Sequence, residues 1–288
     1  MKFTAETLRT LRMRRELSQS KHSFRHRRNV VKKTRSWRFV TQRLHREDQK
    51  TLRACSTFET IMSKTQLIEA VQRLDLTTTK QLLEAKPTLL NVRNRQSRNL
   101  LHLACGASCE RLKLPESAAA RMVDYLLDAG MDIEEQGLSG RDPCKPIWFA
   151  VCFGRNLTVV KLLIKRGAEP TGLYAAGWWQ DLKILDALIK AGTPIDVVVG
   201  VTPFLACWCW RRYEAAKFLA MKGANVNYQD PRNGKTALHY GVEREFEPAL
   251  LKWLVKHGAS PDIEDREGNT ARSKAARKRK KEFFRALK

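Results

Sequence analysis

Apolar residues recur at helical spacing in a series of short runs, and each run stops at a glycine. "AAKFLAMKG" closes on Gly223 and "LKWLVKHG" on Gly258, each with one apolar stripe and an otherwise polar surface. That periodicity predicts short amphipathic α-helices. The glycine suits the position just past a helix end, where the backbone often turns left-handed at no cost only to Gly. Asn225, Asn227 and Asp262, just beyond, fit the turn that follows. Such stops fall at Gly130, Gly167, Gly192, Gly223 and Gly258, at spacings of 37, 25, 31 and 35 residues. A unit of this size cannot bury its own stripe, so successive units must stack, and the stacking makes the core.

The best preserved unit, "GVTPFLACWCWRRYEAAKFLAMKGANVN" from Gly200 to Asn227, carries Thr202, Pro203 and Gly223 at fixed offsets. A second, "GKTALHYGVEREFEPALLKWLVKHGASPD" from Gly234 to Asp262, repeats the offsets with Thr236, His239 and Gly258. An earlier copy, "NLLHLACGA" with His102, is split from "ARMVDYLLDAGMDI" by an insertion around Cys109 to Ser117. Through Thr-Pro-Leu-His, a double-alanine first helix and Gly-Ala, these segments resemble the ankyrin repeat family. The resemblance implies an all-α solenoid of helix-turn-helix repeats with short β-hairpin fingers, about six to seven repeats with divergent caps. Copies are expected near 65–94, 97–134, 142–170, 171–197, 200–229 and 234–264, with a cap over 265–288. In the family the His of the Leu-His motif bonds neighbouring backbone, which makes His102 and His239 structural rather than metal ligands. The finger between the third and fourth copies is reduced, since only Ala168, Glu169 and Pro170 separate Gly167 from Thr171. A wider groove beside Trp178, and a weaker joint, would follow.

In the family the two residues after the double alanine of the first helix face the concave groove and vary with the partner. Those positions hold Trp178 and Trp179 after Ala176-Gly177, Trp210 after Cys209, and Phe153 after Cys152. Phe153, Trp178, Trp179 and Trp210 therefore form a candidate partner-binding row, with Trp148 and Trp208 assigned to packing. Tryptophan buries much area with few rotamers to freeze, which suits a docking site. Two adjacent helical side chains point about 100° apart and are not easily both buried.

Charge is concentrated at the ends. The chain is +24 over 288 residues, yet residues 1–61 hold 17 Lys and Arg against 5 Asp and Glu, and residues 271–288 hold 9 against 1. The repeat body is close to balance, so nucleic acid is indicated only as an alternative partner, through the basic termini. Residues 1–61 lack Gly, Pro and apolar periodicity and read as a disordered basic extension, or as a segment preceding a mature start at Met62. The run Arg277 to Lys281 reads as the solvated face of a cap, with a nuclear import signal as the alternative.

Catalytic signatures are missing from the sequence: it carries no phosphate loop, nucleophile elbow or HExxH. Glu134 and Glu135 read as a solvated loop pair. Seven cysteines, an odd number without CxxC pairs, argue against a disulfide framework and a zinc module. The expectation is a non-enzymatic, monomeric protein-binding module without cofactor, metal or membrane span, in the cytoplasm or alternatively the nucleus.

Overall fold

The computed structural model describes residues 62–139, 142–278 and 281–288, with the side chains of 139, 142 and 143 left aside. The expected basic extension over 1–61 lies outside the described residues. These described residues form one compact unit.

Helices follow one another in pairs, a first helix and a second. The pairs are α1 (62–72) with α2 (Leu76–Ala85), α3 (Leu100–Cys105) with α5 (Glu116–Asp128), and α6 (Pro146–Phe149) with α7 (Leu157–Lys165). After them come α8 (Leu173–Trp179) with α9 (Leu182–Lys190), and α10 (Pro203–Cys209) with α11 (Tyr213–Met221). The last two are α12 (Ala237–Glu243) with α13 (Pro248–Lys256), and α14 (Ala271–Arg277) with α15 (Lys281–Ala286). The insertion in the second pair folds as its own short helix, α4 (Cys109–Leu112). First helices pack on first helices, α8 on α10, α10 on α12 and α12 on α14, while α5, α7 and α9 pack along the other side. The stripes and stops predict such stacking, and the arrangement is the ankyrin-type solenoid that the resemblance implies.

Local chemistry starts and stops each element. Thr202 caps α10, its Oγ1 accepting the Leu205 N–H at 3.4 Å, and Pro203 fills the first turn, where a missing N–H costs nothing. Gly223 and Gly258 end the second helices at φ +97° and +93°, and the Ala224 and Ala259 N–H groups bond back to Leu219 and Leu254. The core is the continuous stripe between layers, including Leu126, Leu163, Leu188, Leu219 and Leu254, all fully buried. Trp208 belongs to it, its Nε1–H donating to the Ala237 carbonyl at 2.8 Å, while Trp148 is half-buried.

One first helix is a residue longer than its fellows. After α6 the backbone widens into a π-helical turn over Ala150–Gly154, which absorbs the extra residue before the left-handed Arg155.

Fingers join the repeats. The complete hairpin is β1 (Gly137–Ser139) paired antiparallel with β2 (Asp142–Cys144). Elsewhere they are reduced to single bridges, such as Arg93 with Asn99, Val199 with Val201 and Glu264 with Thr270. No bridge forms over residues 168–172, the junction the sequence marks as short. That gap lies at the N-terminal end of α8, whereas Trp178 is near its C-terminal end, roughly 9 Å along the axis. The shortened finger therefore does not open the groove beside Trp178.

Glu134 and Glu135 are not a solvated pair. Glu135 bonds Arg93 and accepts Asn99 Nδ2 at 2.5 Å, while Glu134 pairs with Lys145 at 2.7 Å and accepts the Glu169 N–H at 2.8 Å. They fasten consecutive fingers together. In the basic run Arg277 and Lys281 are exposed, Lys278 pairs with Glu245 at 3.1 Å, and 279–280 lie outside the described residues; ahead of the run Lys274 lies 2.6 Å from Asp265 and 2.5 Å from Glu243. The terminal pair buries Ala271, Ala275, Phe283 and Leu287 and adds these ion pairs to them.

Candidate functional site

The last turns of the middle first helices carry the aromatic row. Phe153, Trp178, Trp179 and Trp210 are 45%, 43%, 43% and 40% exposed, against full burial of Trp208 two positions before Trp210. Each helix ends just beyond them at a left-handed residue, Arg155, Gln180 or Arg211. Counting back from that residue aligns Phe153 with Trp178 and Cys209, and Gly154 with Trp179 and Trp210. The register expected from sequence, which paired Phe153 with Trp179, is off by one because the π turn holds the additional residue.

The two adjacent tryptophans splay to opposite neighbours. Trp178 meets the edge of Trp210 at 5.3 Å, and Arg212 lies over its ring at 4.5 Å. Trp179 leans the other way, under the Arg155 guanidinium at 5.0 Å, and its indole N–H reaches Cys152, whose thiol is pushed up mainly by burial. Phe153 packs on the edge of Trp148 at 5.6 Å beneath Arg98 at 5.5 Å. The row is thus broken into three aromatic stations, each roofed by an arginine. Sequence spacing alone does not reveal these roofs, because each arginine comes from a neighbouring repeat or from the turn after the helix.

Two hollows lie along this face. One, of about 470 Å³, is lined by Arg73, Arg98, Arg111, Phe149 and Phe153 among others. The second, of about 370 Å³, runs between the Val199–Val201 finger, Trp210, Tyr240 and Arg244, with Asp230 and Arg232 on its wall. Arg232 binds Asp230 at 2.7 Å and, with the Tyr240 hydroxyl, holds that carboxyl far below the usual range. Both hollows are half-open clefts, a shape that admits a chain segment.

The motif residues sit at the finger joints. His102 Nε2–H donates to the Glu135 carbonyl at 2.9 Å, and His239 Nε2–H to the Asn269 carbonyl at 2.8 Å. On the other ring nitrogen, the Thr236 N–H donates to His239 Nδ1 at 3.1 Å. Burial pushes His102 down to about 4, helped by Arg93 and Arg98, and lowers His239 too, so both rings are neutral near pH 7. Burial also raises the thiols, Cys209 to about 11 and Cys207 to about 12, which leaves them protonated and poorly nucleophilic. Among the described residues no group of three His, Cys, Asp or Glu is placed to hold a metal ion. No described helix is long and apolar enough to cross a membrane.

Comparison with known proteins agrees with this architecture. Residues 204–288 match the family model for ankyrin repeats, in three copies. A 56-residue segment is 48% identical to the ankyrin repeat protein L92 of Acanthamoeba polyphaga mimivirus, covering 19% of this chain and 13% of that protein. The chain thus spans only a small part of the length of that relative. The ankyrin repeat domain of Bcl-3, a member of the IkappaB family, superposes with a TM-score of 0.63 at 23% identity, over 77% of this chain and 97% of that domain. The ankyrin repeat domain of human ASB11 gives 0.59 at 21% identity, over 77% and 95%.

Proposed function

We propose, from the premise that the chain is an ankyrin repeat protein, that it binds a partner protein along the groove face of residues 62–288. The fold is a general protein-interaction frame and not a catalytic one, because stacked repeats present an extended surface rather than an enclosed pocket. What carries the reading is the row of Phe153, Trp178, Trp179 and Trp210, large apolar side chains held two-fifths or more exposed on consecutive repeats, while Phe149, Ala176 and Trp208 earlier on the same helices are buried. Such a patch has a cost in water that a partner relieves. Arginine and tryptophan are, with tyrosine, the residues most enriched at binding hot spots.

The alternative, an adaptor that holds nucleic acid or acidic surfaces through its basic termini, has less support. At the C-terminus Arg272, Lys274 and Lys278 each face a carboxylate of the same chain, at 2.8, 2.6 and 3.1 Å.

The test is affinity capture from native extract with the full chain and with its Trp178→Ala/Trp179→Ala form. A partner retained by the parent and lost by the variant, with circular dichroism unchanged and binding tolerant of salt, is the expected result. Binding unaffected by the double substitution, and falling steeply with ionic strength, would point instead to the termini.

A further inference from the structure

The two hollows on the groove face differ in charge. That of the later repeats is mixed, with Asp230 bound by Arg232 at 2.7 Å and Arg244 beside them. That of the early repeats is lined by Arg73, Arg98 and Arg111 with an aromatic floor, and no carboxylate lines it. Arg98 is fixed there: its guanidinium lies 4.8 Å from the Phe149 ring centre and 5.5 Å from that of Phe153, and its Nε–H donates to the Leu138 carbonyl at 2.6 Å. Among the described residues no acidic side chain pairs with any of the three guanidiniums.

We propose that this all-cationic hollow seats an acidic segment of the partner protein, with an adjoining apolar side chain laid on Phe153. The proposal rests on the groove-binding reading above and adds the charge of the bound segment. A guanidinium stacked on rings keeps its outer N–H edge for a carboxylate, and the geometry is set before the ligand arrives, which lowers the ordering cost. A protein segment is favoured over a nucleic-acid strand by where the charge lies. A strand carries a negative charge at every phosphate, whereas the repeat body beyond this hollow is close to charge balance and offers no continuous cationic track. A peptide can place its acids at one end and its apolar residues along the tryptophans.

Random peptides displayed on phage, panned against the full chain at physiological ionic strength, supply the probe. The selected peptides are then measured against Arg73→Gln/Arg111→Gln, against Lys161→Gln/Lys183→Gln on the outer helices, and against Trp178→Ala/Trp179→Ala. Arg73 and Arg111 are exposed, so their replacement leaves the fold intact, and both charge variants remove two positive charges. The expected outcome is enrichment of Asp and Glu beside aliphatic or aromatic residues, with binding reduced about tenfold or more by the arginine pair and unchanged by the lysine pair. Neutral or basic selected peptides that the tryptophan variant releases overturn the acidic-segment proposal and leave groove binding standing. Equal loss with both charge variants overturns it as well, since attraction to net charge then suffices. Selected peptides indifferent to the arginine and tryptophan variants alike overturn both readings, as does an oligouridylate that binds through Arg73 and Arg111 when no peptide is retained.

Discussion

Arg155 occupies a position where glycine would be the easy choice. Its φ of 47° is left-handed, as are Gln180, Arg211 and Glu245 at 55°, 60° and 54° at the same point of their repeats. A non-glycine residue there costs about 1 kcal/mol, while the Arg155 stack on Trp179 returns about 0.5–1 kcal/mol. Arg155→Gly should therefore leave the urea midpoint nearly unchanged, whereas Arg155→Ala, which loses the stack and keeps the strain, should lower stability by roughly 1 kcal/mol. His102 is the other residue with a measurable signature. Its folded pKa of about 4 lies below the ordinary histidine value, so the unfolded chain binds the proton first and stability falls as pH drops from about 6.5 toward 4. Urea titrations at neutral pH and near pH 5 should show a difference on the order of 1–2 kcal/mol, and His102→Gln should lose that part of the pH dependence. The finger role of the histidines was legible from the Leu-His motif. The arginine roofs were not, because Arg155 and Trp179 are 24 positions apart and a repeat pattern says nothing of which side chain bends across a joint.

At the scale of the element, Gly177 shows why one repeat departs from the double alanine. A methyl group there would collide with Cys207 Sγ on the adjacent first helix, so α8 and α10 approach closely only with glycine at this point. Gly177→Ala should cost about 1–3 kcal/mol by overpacking, despite its better helix propensity. Adding Cys207→Ala should recover much of that loss, and failure of the rescue in a double-mutant cycle would separate the two residues. Helix existence and the glycine stops were readable from periodicity, since one greasy stripe and a C′ glycine suffice. The π turn at Ala150–Gly154 was not readable: this helix reads forward from its Lys145-Pro146 start, and the additional residue becomes visible only by counting back from Arg155. The missing finger was evident in the spacing, but its position relative to Trp178 depended on which end of α8 it joins.

Across the whole unit, the repeats hold one another by chemistry that changes from the middle to the end. Inner joints rest on buried leucines, while the last pair is tied by Lys274 between Glu243 and Asp265, with Asp265 at about 2 because Lys274 and the Asn269 and Glu267 N–H groups outweigh its burial. Glu243→Gln should loosen this end without melting the rest, since each repeat is stabilised mainly by its neighbours. Hydrogen exchange would show faster opening of α14 and α15, by about 1 kcal/mol, with α7 and α9 unchanged.

The junction over residues 168–172 has a mechanical meaning. Elsewhere a load passing along the stack is shared between helix contacts and finger contacts, such as Asn227 Nδ2 to the Gly258 carbonyl at 2.8 Å and the Arg266 N–H to the Asn233 carbonyl at 3.0 Å. Here the far side is tethered by the Thr193 hydroxyl on the Pro170 carbonyl at 2.9 Å, with no bridge between strands. Stretched from its two termini, the chain should yield first at this seam, releasing two blocks in separate steps on a force trace. A partner lying across Phe153 and Trp210 spans the same seam, and would act as a splint that raises the force of the first step.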